Sequence, residues 1–141
     1  MPLNNPVSTI MSSSPVVGTQ FSTFSQVLRL FTEFPVHHLP IVDDNNKVIG
    51  IVSSNDLPKV FLSLCDKGKN IPMELGAIDG AIGLSDIMTA NPVTISSGET
   101  IINAAKVFNE KKFLALPVVD NGELVGILSA KDIMGHIARN F

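Results

Sequence analysis

The chain repeats itself. Sliding the sequence by 77 positions sets Ile10-Met11 on Ile87-Met88, Pro15-Val16 on Pro92-Val93, Phe31 on Phe108, Leu39-Pro40 on Leu116-Pro117 and Asp43 on Asp120. One residue dropped in a turn, where Asp44-Asn45-Asn46-Lys47 faces Asn121-Gly122-Glu123, then sets Gly50-Ile51 on Gly126-Ile127, Ser53 on Ser129 and Asp56 on Asp132. So many matches with a single gap mark a duplication, which restricts the fold to two copies of one supersecondary pattern. At 141 residues and 45% hydrophobic content, the chain can bury one sizeable core or two small fused ones, not several independent domains.

Each copy passes through the same order of patterns. It opens on a short extended segment, around Pro15-Val16-Val17 or from Pro92 to Ile95. A helix follows. Between Ser97 and Lys112, Ile101, Ala104, Ala105 and Phe108 stand at helical spacing, and Phe24, Val27, Leu28 and Phe31 answer in the first copy. Such stripes predict faces that bury into a core rather than hold a cofactor. Next comes a hairpin. Leu116 to Val119 and Leu124 to Leu128 flank Asn121-Gly122, the strongest short-range turn signal, and Leu39 to Val52 repeats the arrangement around Asp44-Asn45-Asn46. A closing helix is expected to start near Ser53 or Ser129, whose hydroxyl can cap free backbone N–H groups, and to run through Leu57 and Phe61 or Ile133 and Ile137. Each half reads β-α-β-β-α, an α+β fold.

Between the halves, Lys67-Gly68-Lys69-Asn70 and the glycines at 76, 80 and 83 read as a linker with room for a helical turn. Gly76 to Gly80 resembles a phosphate loop only superficially, because no Gly-Lys-Ser/Thr follows. Ten basic against thirteen acidic residues leave a net charge of −3, too little positive charge to neutralise many phosphates of a nucleic acid. Met1 to Ser14 lacks the basic start and apolar run of a secretory signal, and no apolar stretch approaches the roughly 20 residues that span a bilayer. A cytoplasmic protein with no membrane segment is expected. The single cysteine, Cys65, cannot form an internal disulfide and suits a reducing compartment. With the adjacent His37 and His38 it makes neither a metal site nor a catalytic set, since three or four convergent ligands or a third orienting residue are missing.

The residues that can carry chemistry occur twice. Gly50 to Asp56 and Gly126 to Asp132 share the form Gly-apolar-x-Ser-x-x-Asp at a strand-to-helix junction. A helix start leaves N–H groups unpaired at the positive end of its dipole, so a phosphate placed there gains backbone donors and the serine hydroxyl. An aspartate three residues later, still in the first turn, can accept hydrogen bonds from two vicinal ribose hydroxyls. A serine followed three residues on by an acid is also an ordinary capping box. Its recurrence at equivalent points of a duplicated unit favours a ligand role.

Together these motifs resemble a known family. Ile-Met-x-x-x-Pro-Val opens each copy (Ile10 to Val16, Ile87 to Val93), Leu-Pro-Ile/Val-Val-Asp stands in the middle, and Gly-x-x-Ser-x-x-Asp follows. In that order, twice, they are similar to a pair of cystathionine-β-synthase (CBS) domains. The resemblance divides the chain into a first domain at 1–66, a linker at 67–83 and a second domain at 84–141. It implies two repeats packed sheet to sheet with pseudo-two-fold symmetry, and two clefts that each take an adenosine compound. The first site would use Ser14, Val16, His38, Leu39, Pro40, Ser53, Asn55 and Asp56; the second, Asn91, Val93, Ala115, Leu116, Pro117, Ser129, Lys131 and Asp132. By this resemblance the apolar residues line the adenine, Asp56 and Asp132 take the ribose, and Ser53 and Ser129 the phosphate.

Lys131 tilts the expectation towards the second site, because Asn55 at the matching position is uncharged. Few basic residues lie near either motif. AMP therefore suits better than ADP or ATP, for which Mg²⁺ or a neighbouring subunit would be needed; S-adenosylmethionine and NAD offer the same adenosine. The resemblance also implies homodimers, flat discs of four CBS units held by the closing helices, with Phe61, Leu62, Ile133 and Ile137 as exposed apolar residues. No catalytic constellation can be assembled. The expected function is a non-enzymatic regulatory module that signals to an unidentified partner protein in trans, the alternative being an interaction scaffold whose clefts stay empty.

Overall fold

The computed structural model, which describes residues 2–66, 75–111 and 113–141, follows the duplicated pattern element by element. After two short 3-10 turns come β1 (Ser12–Ser13), β2 (Gly18–Thr19), α1 (Phe24–Glu33), β3 (His38–Val42), β4 (Val48–Ser53), α2 (Asp56–Asp66) and α3 (Leu75–Ala81). The remainder is α4 (Leu84–Ile87), β5 (Thr89–Ala90), α5 (Ile101–Lys111), β6 (Ala115–Asp120), β7 (Glu123–Ser129) and α6 (Ala130–Asn140). This is an α+β fold with two sheets, ordered β2-β3-β4-β5 and β1-β7-β6.

The opening helices start at equivalent threonines. Thr23 accepts from the Gln26 N–H at 3.2 Å while the Gln26 side chain accepts from the Thr23 N–H at 2.9 Å, a full capping box. Thr100 likewise accepts from the Asn103 N–H at 3.2 Å. The helix expected from Ser97 therefore begins at Ile101, because Ser97 is held elsewhere: its N–H donates to Asp120 Oδ1 at 3.0 Å and its hydroxyl to Oδ2. The extended openings at Pro15 and Pro92 are also displaced. Proline has no N–H to offer a ladder, and pairing starts at Gly18, parallel to Ile41, and at Ile95, which bridges Val118.

The second hairpin turns as its sequence predicts. Asp120 pairs with Glu123 across Asn121 and Gly122, whose φ values of 52° and 81° are those of a type I′ turn. Only tertiary structure shows where the openers go. β1, from the first Ile-Met segment, pairs antiparallel with β7, and β5, from the second, pairs antiparallel with β4. The compact units are accordingly interleaved in sequence. One comprises Val16–Asp44 and Ile49–Asn91; the other comprises Met1–Pro15, Asn45–Val48 and Pro92–Phe141.

Each unit has its own core. The first gathers Phe24, Val27, Leu39, Ile41, Val52 and Leu57 with Ile78, Ile82 and Ile87; the second gathers Val7, Ile101, Ala104, Val118, Leu128 and Ile133. Gly76 and Gly80 lie within α3 rather than in a loop, and Asp79 of α3 accepts from the Ser25 N–H at 2.7 Å and the Ser25 hydroxyl at 2.5 Å. Lys67-Gly68-Lys69-Asn70 falls outside the described residues, as does Lys112. The expected apolar face of the closing helices is corrected. Ile133 is 5% exposed and belongs to the second core, against which Ile137 packs half-buried, while Phe61 packs half-buried against the first. Leu62, at 59%, is exposed, and Met134 joins it at 63%. Helical periodicity shows which residues share a face, but which face meets the sheet depends on where the helix begins.

Candidate functional site

The two strand-to-helix junctions begin alike. The Ser54 N–H donates to the His37 carbonyl at 2.9 Å, and the Ala130 N–H to the Leu114 carbonyl at 3.0 Å. Each bond ties the end of its copy's last strand to the start of its middle strand, which places the serine and aspartate of the motif beside the residues at the head of β3 or β6.

In the second copy the motif closes on itself. Ser129 is the N-cap of α6: its hydroxyl accepts from the Asp132 N–H at 3.1 Å, and Asp132 Oδ2 accepts from the Ser129 N–H at 2.8 Å. Lys131 stands exposed in the same turn. Ala115, Leu116 and Pro117 are buried, whereas Val93 is 39% exposed.

The first copy is built differently. α2 starts at Asp56, not near Ser53. A helix starting at Ser54, the counterpart of Ala130, would need the nitrogen of Pro58 to bond the Ser54 carbonyl, and the proline ring would strike that carbonyl instead. Starting at Asp56 makes Pro58 the third helical residue, inside the first turn where no such bond is due. Among the described residues Ser53 then accepts only from the Asn55 N–H, at 3.3 Å, and nothing donates to the Asp56 carboxylate. Asp56 instead acts on His38. Burial, and next the neighbouring His37, push the His38 imidazole below its usual pKa, and Asp56 pulls the other way. Val16 and His38 are half-buried, Asn55 is exposed, and Leu39 and Pro40 are fully buried, Leu39 within the core.

Within its unit, then, the first copy brings His38 and Asp56 together at the end of the strands, and the second brings Ser129 and Asp132 together. Leu39 and Leu116 face the interior. Ser14 and Asn91, at equivalent positions, both hold φ of 49°, a left-handed conformation rare outside glycine and unusual before proline. Sequence reasoning placed these two in the sites without that reason. It also missed Met11 and Met88, which fill the space over the motif glycines Gly126 and Gly50. Among the described residues no group of three or more His, Cys, Asp or Glu could hold a metal ion, and no helix is long and apolar enough to cross a membrane.

The sequence profile of the CBS domain matches residues 7–63 and again residues 84–139. The chain belongs to the CBS domain family. The structure of the Arabidopsis thaliana CBS-pair protein CBSX2 in complex with AMP is similar at 27% identity and a TM-score of 0.77, covering 96% of this chain and 98% of that one. The CBS domain pair of protein MJ0100, solved with 5′-methylthioadenosine and S-adenosyl-L-methionine, is similar at 25% identity and a TM-score of 0.75 over 94% and 98% of the two chains. A CBS domain-containing protein of Dictyostelium discoideum is 28% identical over 133 residues, 91% of this chain and 88% of its own length. Other curated relatives are longer: the CBS pair spans 23% to 42% of the first five.

Proposed function

We propose that this CBS pair is a non-catalytic regulatory module of the cytoplasm that takes an adenosine-containing nucleotide at its serine and aspartate junctions and passes the occupancy to a partner protein. The observation that carries this reading is the strand-to-helix junction set twice at matching points, each with a serine and an aspartate held beside the head of the middle strand. Relatives of the same fold solved with AMP, and with methylthioadenosine and S-adenosylmethionine, support adenosine as the common element. AMP is the first choice, because Lys131 is the only basic residue in either motif. ADP or ATP would bring Mg²⁺ with it. In each site the aspartate would take the ribose hydroxyls, the serine and helix start the phosphate, and the exposed part of Val16 or Val93 an adenine face. A second copy of the chain is the proposed neighbour of the closing helices, which expose Leu62 and Met134.

Thermal unfolding of stripped protein against AMP, ADP, ATP, S-adenosylmethionine and NAD, with and without Mg²⁺, tests the reading. The chain has neither Trp nor Tyr, so absorbance near 260 nm reveals carried-over nucleotide. A ligand at about 100 times its dissociation constant adds about 2.7 kcal/mol, a rise of several degrees. No rise with any of the five from nucleotide-free protein rejects the adenosine reading and leaves the empty scaffold.

A further inference from the structure

The two copies share a motif but not its state. In the second, Asp132 Oδ2 already accepts from the Ser129 N–H, so ribose hydroxyls find Oδ1 open and must share or displace the bond at Oδ2. In the first, Asp56 accepts no hydrogen bond among the described residues, and the Ser54 to His37 bond ties its junction to the head of β3, where His38 offers an imidazole edge able to meet a base or a hydroxyl. The counterpart of His38 is Ala115, which offers only a methyl group. The cause of the difference is one residue. Pro58 forbids the helix start that Met134, its counterpart, allows, and without that start the Ser53 and Asp56 box does not form.

We infer that the copies are unequal binders, the nucleotide entering first beside Asp56 and His38, and that Pro58 is the positioning residue that keeps Asp56 available. The inference rests on the adenosine reading above. Lys131 acts in the opposite sense, but its exposed charge is screened by solvent and salt and attracts a phosphate weakly. A ribose that takes both carboxylate oxygens of Asp132 competes with the box, whereas at Asp56 it meets no such competitor among the described residues.

Calorimetric titration of the full chain with AMP decides it, using the wild type, Pro58→Ala, Asp56→Asn and Asp132→Asn. The expected tighter step takes up about one AMP per chain, the first copy filling ahead of the second. Pro58→Ala permits α2 to extend back to Ser54 and the box to close, so that step weakens about fivefold, the worth of a typical cap. The melting temperature of the same variant rises, and the Cα shifts of residues 54–56 turn helical; loss of affinity together with gain of stability is not what simple damage produces. Asp56→Asn removes the tighter step. Unchanged affinity in Pro58→Ala overturns the inference, as does a tighter step that survives Asp56→Asn and disappears in Asp132→Asn. Failure of the wild type to bind AMP, or any other adenosine compound, rejects the underlying reading instead.

Discussion

Gly126 has no room for a side chain. A Cβ built there would lie 2.7 Å from Met11 Sδ and 2.9 Å from the Ser12 carbonyl oxygen, and one at Gly50 would lie 2.5 Å from Met88 Sδ and 3.2 Å from the Thr89 carbonyl oxygen. A thioether can swing aside; a backbone carbonyl paired in a strand cannot. Gly126→Ala is therefore expected to cost about 1–3 kcal/mol in urea unfolding, and Gly50→Ala less. Equal losses at the two positions would contradict the assignment of the cost to Ser12. The glycines were visible in the repeat, but their reason was not, since the methionines that crowd them lie far away in sequence. Ser14 and Asn91 are similar: asparagine tolerates a left-handed φ, so Asn91 carried a faint signal, and Ser14 carried none.

At the scale of elements, propensity and spacing located the helices well, and capping decided their ends. The opening helices start at Thr23 and Thr100 because those side chains are free to cap, whereas Ser97 is bound to Asp120. The stretch read as a linker contains α3, whose Ile78 and neighbouring Ile82 join the first core and whose Asp79 grips Ser25. Chiefly the Ser25 hydroxyl, aided by the Ser25 N–H and Thr23 and opposed by burial, holds the Asp79 carboxyl below its ordinary value. A carboxyl whose folded pKa is depressed stabilises the fold fully above its unfolded value and loses that effect as pH falls through the folded one. Asp79→Ala should thus speed amide exchange of α3 at neutral pH while β3 and β4 stay protected. The gap between variant and wild type should narrow in acid, below the ordinary carboxylate range. A gap that persists unchanged there would show that Asp79 acts by packing rather than by charge.

For the molecule as a whole, each closing helix leaves an apolar residue in solvent, Leu62 on α2 and Met134 on α6. If these meet a second copy, Leu62→Glu with Met134→Glu should raise the dimer dissociation constant about a hundredfold or more in sedimentation velocity, because a carboxylate desolvated in an apolar contact costs several kcal/mol. A monomeric wild type, or a dimer indifferent to both changes, would remove that face from the interface. The sequence by itself determined the duplication, the β-α-β-β-α order, the Asn121-Gly122 hairpin and the twin serine and aspartate junctions, because all of these are written in local spacing and in a comparison of the chain with itself. Tertiary structure alone decided that β1 pairs with β7 and β5 with β4, that Ile133 faces inward, and that Asp132 accepts a hydrogen bond while Asp56, among the described residues, accepts none. Those outcomes depend on which groups compete for the same hydrogen bonds and the same space, and that competition is settled between residues distant in sequence.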